Sequence, residues 1–200
     1  MTTISQSTKG RTTSIRLLTV TAMLSAIAYI LAFIEFPMPL SPSFAKMDLS
    51  DFPALIGAFA FGPLTGMMVE LVKNVLQLMS TSTAGVGELA NFAIGASFVL
   101  TAGAVYGNGK RKPWVACAAG SVVMALAAAV MNYYVLLPVF EQFMPMEQII
   151  AEVGKLLPFI QTKLDMVLFN VFPTTLFKGV VISVLTLPIH KKLSAFLTRR

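Results

Sequence analysis

The chain has 200 residues, 56% of them hydrophobic and only 12% charged, with a mean hydropathy of +0.78, a net charge of +6 and a single cysteine, Cys117. Soluble domains carry about 25% charged residues, so the composition indicates an integral membrane protein with one membrane domain over residues 1–200. The lone cysteine excludes an internal disulfide and a cysteine-based metal site.

The first apolar run begins near Leu17 and is too long for a signal-peptide core, so a membrane helix is expected over 17–34. The connection over 35–52 holds Pro37, Pro39 and Pro42, followed by Phe44, Met47, Leu49 and Phe52. A simple solvated loop would be more polar. An outer lid over an apolar ligand fits better, with Leu40, Phe44 and Ala45 as candidate contacts. The next apolar block is broken in "AFAFGPLTG", because Gly62 followed by Pro63 disfavours a continuous helix. Shortened helices are expected over 53–62 and 64–79. Further helices are expected over 89–106, 114–137 and 164–188, with a short interfacial helix around "MEQIIAEVGKLL". Residues 1–14 and the tail beyond about Leu193 are expected to be mobile ends.

Charge placement orients these elements. Lys9, Arg11 and Arg16 precede the first run, Lys110, Arg111 and Lys112 form a knot in "YGNGKRKPW", and Lys191, Lys192, Arg199 and Arg200 follow the last. All three clusters should be cytoplasmic by the positive-inside rule, and their distribution argues for a bilayer rather than for nucleic acid. Glu35, Asp48, Asp51, Glu88, Glu141, Glu147, Glu152 and Asp165 fall in the other connections, which should face outside. An even number of crossings must separate clusters on one side. The expectation is an all-α, multi-pass membrane protein with six transmembrane helices and both termini cytoplasmic.

Three charges remain inside membrane helices: Glu70, Lys73 and Lys178. A charge at the bilayer centre costs about 2.5–3.5 kcal/mol on insertion scales, so these groups should face the interior and have partners. In "VELVKNVLQLM", Glu70, Lys73, Asn74 and Gln77 stand at offsets 0, 3, 4 and 7 and form one helical stripe. Glu70 and Lys73 make an i,i+3 pair, readable as a structural lock or as a functional pair. Lys178 has no adjacent carboxylate in "LFNVFPTTLFKGVV", where Pro173 should kink the helix. Asn170, Thr174 and Lys178 share a face, and Thr175 lies three residues before the lysine; this pattern points to ligand contact. Asn91 in "GELANFAIGASF" and Asn132 in "MNYYVLLPVF" should sit in the outer half, as interhelical hydrogen bonds or as ligand contacts. Tyr133 and Tyr134 fit an aromatic belt or a ligand wall. Cys117 reads as packing, and His190, beside Lys191 and Lys192, as interfacial.

Phosphate-binding GxxxxGK[ST], zinc-protease HExxH and nucleophile-elbow GxSxG patterns are all absent. No catalytic residue, cofactor or metal is assigned. The chain reads as a binding unit for a solute, with transport driven by a partner. An intramembrane enzyme using Glu70 and Lys73 as acid and base lacks a nucleophile; a structural or pore-forming protein is the other alternative. Ala22 and Ala26, repeated by Ala28 and Ala32, give the first helix small-xxx-small faces suited to another helix, of a partner or of the same chain.

The segments "KMDLSDFPALIGAFAFGPLTGMMVELVKN", "GELANFAIGASF", "MNYYVLLPVF" and "PTTLFKG", with the six-helix plan, resemble the substrate-binding S components of energy-coupling factor (ECF) vitamin transporters, and most closely their riboflavin-specific RibU family. The resemblance implies a subunit that captures riboflavin outside the cell and works with a transmembrane coupling protein and two cytoplasmic ATPases; an S component for another vitamin is the alternative within the family. It implies that Ala22 and Ala26 contact the coupling protein, that Asn132 meets the flavin and that Lys178 is the ligand-contacting lysine of the final helix. Thr175 stands where the family has an asparagine. Riboflavin chemistry suits such residues: its imide edge alternates acceptor, donor and acceptor, which an asparagine amide can pair, while lysine and threonine suit ribityl hydroxyls. The flat tricycle needs apolar or aromatic walls, which the lid and Tyr133 can supply.

Overall fold

The computed structural model describes residues 3–38, 46–81, 83–107, 109–142 and 145–198, with side chains from Ile15 to Lys192 among these. The order is α1 (Thr3–Ala32), β1 (Phe36–Pro37), β2 (Lys46–Met47), α2 (Asp51–Phe61), α3 (Pro63–Gln77), α4 (Val86–Tyr106), α5 (Pro113–Met131), α6 (Leu137–Phe140), α7 (Met146–Gly154), α8 (Lys163–Met166) and α9 (Phe172–Thr198). A 3-10 turn at Leu78–Ser80 extends α3. Among the described residues four stretches are long and apolar enough to cross a membrane: Ile15–Ala32, Val86–Tyr106, Pro113–Phe140 and Lys163–Lys192.

The helix bounds differ from those expected, and the stretches 114–137 and 164–188 are each interrupted by a π-turn. The backbone of α1 is helical from Thr3 and that of α9 to Thr198, so the ends that the sequence leaves irregular continue the helices. The lid region is shorter than 35–52: α2 already begins at Asp51, and Phe36 pairs antiparallel with Met47 to form a small ribbon at its base. Leu40, Phe44 and Ala45 lie outside the described residues. Hydroxyls inside the spans bond back to carbonyls four residues earlier, as in Thr21 to Leu17, Ser25 to Thr21, Ser183 to Gly179 and Thr186 to Ile182. Each such bond lets a polar residue sit in an apolar medium without an unsatisfied group.

The break at Gly62 and Pro63 is a hairpin. Gly62 has φ 102° and ψ 165°, a region open essentially to glycine, and Pro63 occupies the first turn of α3, where its missing N–H costs nothing. The two helices return antiparallel, with Asp51 meeting Lys73 at the open end and Ala58 meeting Gly66 near the turn. At 11 residues α2 is about 16 Å long, well short of the ~30 Å of bilayer hydrocarbon, so it is buried along nearly its whole length. Helices α3, α4 and α9 pack around it, α5 packs on α4 and α9, and α1 packs on α2 and α3. The core so formed includes Leu24, Ala28, Leu55, Phe59, Val69, Phe98, Val99, Met124 and Ile182. A smaller cluster of Leu137, Ile149, Val153, Ile160, Met166 and Val167 fastens the amphipathic α7 to the α6 and α8 ends.

Two π-helical turns replace the simple kink expected at Pro173. Asn132–Leu136 joins α5 to α6, and Val167–Val171 joins α8 to α9. Each ends two residues before a proline, Pro138 in one and Pro173 in the other. Proline cannot donate to the carbonyl four residues back and its ring crowds that carbonyl, so a widened turn is the local solution. The two turns touch one another. Contrary to the interfacial expectation, His190 is buried, with Nδ1 2.6 Å from the Leu187 carbonyl and its ring edge-on to Phe59 and Tyr106.

The hairpin yields a stability prediction. A Cβ at Gly66 would stand 2.7 Å from Ala58 Cβ and 2.8 Å from the Ala54 carbonyl oxygen, with backbone on one side and no flexible group to yield. Gly66→Ala should cost about 1–3 kcal/mol through overpacking, and Gly62→Ala about 1–3 kcal/mol through backbone strain. Thermal unfolding of the purified protein in detergent should show both losses; an unchanged melting temperature in either variant contradicts this hairpin geometry.

Candidate functional site

The polar stripe of α3 points inward. Glu70, Lys73 and Asn74 are buried, while Leu71, Val75 and Leu78 on the opposite side are exposed toward the membrane. This inverts the amphipathicity of a soluble helix, as expected where the outside is lipid and the polar groups find partners only within the bundle.

Those partners come from α2 and the residues just before it. Lys73 Nζ lies 2.6 Å from Glu70 Oε2, 2.9 Å from Asp51 Oδ1 and 2.9 Å from Ser50 Oγ. An ammonium has three donors, so Lys73 is fully engaged inside the protein. The other oxygen of Asp51, Oδ2, stands 3.0 Å from Lys178 Nζ on α9. Asp48 Oδ2 lies further from Lys178, at 3.7 Å, and Asp48 Oδ1 accepts from the backbone N–H of Ser50 at 2.7 Å. Asp51 therefore holds two ammonium groups at once, and it does so at the N-terminus of α2, where the helix dipole also favours negative charge. The network continues outward from Glu70. Asn74 Nδ2 donates to the Glu70 carbonyl at 2.8 Å, and Asn91 Nδ2 on α4 donates to Asn74 Oδ1 at 3.0 Å. Behind Glu70, a Cβ on Gly95 would stand 2.6 Å from Oε2, so only glycine lets α4 approach this carboxylate.

This geometry corrects the charge reading in one respect. Asp51 is not a solvent-side charge of a connecting loop, whereas Asp48 lies in the connection before α2 and is partly exposed. Asp51 is fully buried, and it is the counter-ion that Lys178 lacks in its own segment. The sequence signals that a counter-ion is missing without identifying it: two intramembrane lysines against a single intramembrane glutamate leave one positive charge to be balanced.

The candidate residues fall into separate settings. Lys178 and Asn91 join the buried network through Asp51 and Asn74, respectively. Lys178 retains 8% exposure and has one close ionic partner, so it keeps donors to offer a ligand where Lys73 does not. Thr175 is half-buried one turn before it on α9. Asn132 opens the first π-turn, and its Nδ2 donates to the Ala128 carbonyl at 2.8 Å. Tyr133 follows in the same turn, with the Lys163 ammonium 4.8 Å from its ring centroid, while Tyr134 is 72% exposed and suits the aromatic belt. Asn170, on the facing π-turn, is buried. On α1 the small-residue faces divide: Ala28 and Ala32 are buried against the bundle, whereas Ala22 and Ala26 are exposed. Among the described residues no group of His, Cys, Asp or Glu is placed to hold a metal ion.

The network makes Lys73 a structural group. Removing it leaves Asp51 and Glu70 facing one another with one cation fewer, which typically costs 3–5 kcal/mol for a buried pair. Lys73→Met should therefore lose about 3–5 kcal/mol of stability, and Glu70→Gln should lower expression and melting temperature more than it alters ligand recognition. Detergent-solubilised yield and thermal unfolding measure the first effect, and ligand titration the second. A well-folded Glu70→Gln protein with a selective change in recognition would place the stripe in the ligand site instead.

Residues 16–190 match the family model described as "ECF transporter, substrate-specific component". The chain is 37% identical to the "Riboflavin transporter RibU" of Staphylococcus aureus (strain TCH60) over 92% of its own length and 93% of that protein. It is 32% identical to the "Riboflavin transporter FmnP" of Bacillus subtilis (strain 168), covering 93% of the chain and 96% of that protein. Its fold matches a solved chain reported under "Structure and mechanism of the S component of a bacterial ECF transporter" with a TM-score of 0.71 and 34% identity, over 93% of this chain and 99% of that one. The chain belongs to the substrate-specific components of ECF transporters, multi-pass proteins of the cell membrane.

Proposed function

We propose that this S component captures riboflavin outside the cell and presents it for ATP-driven uptake by an ECF coupling module. The observation that carries the substrate assignment is identity of 37% and 32%, over more than nine tenths of the chain, to proteins named as riboflavin transporters. The chain supplies binding rather than catalysis; ATP hydrolysis belongs to two cytoplasmic ATPases that join it through a transmembrane coupling protein.

In this proposal the chain crosses the bilayer six times, counting α2 and α3 as two short crossings, with both termini and the basic knot at Lys110, Arg111 and Lys112 inside. The antiparallel α2–α3 hairpin supports that count. The open end of the hairpin then faces outward, and so does the network around Asp51. Ligand enters beneath the lid that carries Leu40, Phe44 and Ala45. Asn132 pairs with the imide edge of the flavin, Tyr133 walls the tricycle, and Lys178 with Thr175 meets the ribityl hydroxyls. Asn91 lines the outer half through its amide. Support for Lys178 as the ligand lysine comes from its uncommitted donors, compared with the three engaged donors of Lys73. All the arginines, Arg11, Arg16, Arg111, Arg199 and Arg200, fall in the segments proposed as cytoplasmic, so no guanidinium fork is available outside for a phosphate.

Asn132→Ala and Lys178→Ala should each weaken riboflavin binding by about 1–3 kcal/mol, the cost of leaving a buried polar partner unsatisfied. Riboflavin phosphate should bind no more tightly than riboflavin. Titration by quenching of flavin fluorescence tests both points. Unchanged affinity in the two variants removes these residues from the site, and much tighter binding of the phosphate ester overturns the charge argument.

Exposure of Ala22 and Ala26 supports their use as the face of α1 that docks on the coupling protein. Replacing both with Trp should abolish co-purification with the coupling module and riboflavin uptake while leaving riboflavin binding within about twofold. Loss of binding with assembly intact would assign these alanines to the chain's own packing.

A further inference from the structure

We infer that Asp51 is a positioning residue for ligand recognition, fixing where the Lys178 ammonium stands. The inference rests on the proposed role of Lys178 as the ligand lysine. A lysine side chain has four rotatable carbon bonds, and its head group is a point charge with no geometry of its own. Left alone on α9 beside a binding space, it would sample many positions, and a ligand would have to order it. Asp51 removes that freedom. Its Oδ2 holds Lys178 Nζ at 3.0 Å.

The carboxylate is itself unable to swing. Its Oδ1 is held at 2.9 Å by Lys73, and Lys73 is held in turn by Ser50 and Glu70. Glu70 is backed by Asn74 and by the close approach of α4 at Gly95. A continuous set of contacts therefore runs from α4 through α3 and α2 to the lysine of α9. Every member from Gly95 to Lys178 is buried; Asp51, Glu70 and Lys73 are fully enclosed, while Lys178, at the end of the series, keeps 8% exposure.

The charge arrangement also sets what Lys178 offers. Asp51 lies against it and Asp48 stands 3.7 Å away, so the ammonium is balanced before ligand arrives. What remains to be given is N–H donors rather than net charge. That suits hydroxyl or carbonyl oxygens of a neutral ligand, and the donors are directed because their base is fixed.

A double-mutant cycle on the full chain, purified in detergent and titrated with riboflavin, tests this. Asp51→Asn keeps the size and an acceptor oxygen but removes the charge. It should weaken riboflavin binding at least tenfold when Lys178 is present. In a Lys178→Met background, which alone should weaken binding, adding Asp51→Asn should change affinity less than twofold. Equal losses in both backgrounds would make Asp51 a purely structural residue and overturn the inference. No loss from Lys178→Met would instead overturn the reading of Lys178 on which the inference stands. Asp51→Glu guards against a failure of the Asn variant to fold. It retains the charge but displaces the carboxylate by one methylene, and should fold while losing affinity at least fivefold with Lys178 present and less than twofold without it. Wild-type affinity in Asp51→Glu would contradict a positioning role.

Discussion

The carboxylate of Asp51 holds this bundle's charges together. Two lysines sit among membrane helices, and each would be prohibitive in hydrocarbon without a partner. One carboxylate serves both, Oδ1 for Lys73 and Oδ2 for Lys178, and so ties α2 to α3 and to α9 at a single point. Buried ion pairs contribute little net stability against an apolar alternative, because desolvation offsets most of the attraction. Breaking one is costly all the same. The network is therefore better understood as fixing the arrangement of three helices than as a source of folding energy.

The short hairpin makes that arrangement possible. The break at Gly62 and Pro63 shortens α2 and returns the chain, so that the first residue of α2 lies beside α3 and α9 within the bundle. The two π-turns act comparably on the longer helices. Each adds width just before a proline and redirects the helix face there, and each carries an asparagine, Asn132 in one and Asn170 in the other.

The fold was largely legible in the sequence, and the site less so. Hydropathy places the apolar part of each long helix, though α1 begins at Thr3 and α9 ends at Thr198, well beyond the expected 17 and 188, and the glycine–proline break locates the hairpin, because burial in lipid leaves few alternatives for an apolar chain. The Glu70–Lys73 pair is legible because helical spacing alone brings the two groups together. Asp51 is not, for a physical reason. Its partners lie 22 and 127 positions away along the chain, and local polarity around "DLSDFP" resembles that of any outer loop. The bond from Asn91 to Asn74 likewise depends on how α3 meets α4, which periodicity does not specify. Hydropathy carries no trace of a π-turn, since an inserted residue changes the helical phase and leaves the composition as it was. The two faces of α1 show the same limit: Ala22 and Ala26 have the spacing of Ala28 and Ala32, and only packing separates exposed from buried.

In the proposed function the two lysines divide the labour, Lys73 closed within the protein and Lys178 meeting the ligand. A crystal structure of the riboflavin-bound protein tests it most directly. The account predicts a riboflavin oxygen within about 3.2 Å of Lys178 Nζ, with the Asp51 contact retained and no ligand atom within hydrogen-bonding distance of Lys73. Riboflavin bonded to Lys73, or bound with Lys178 out of reach, would contradict it.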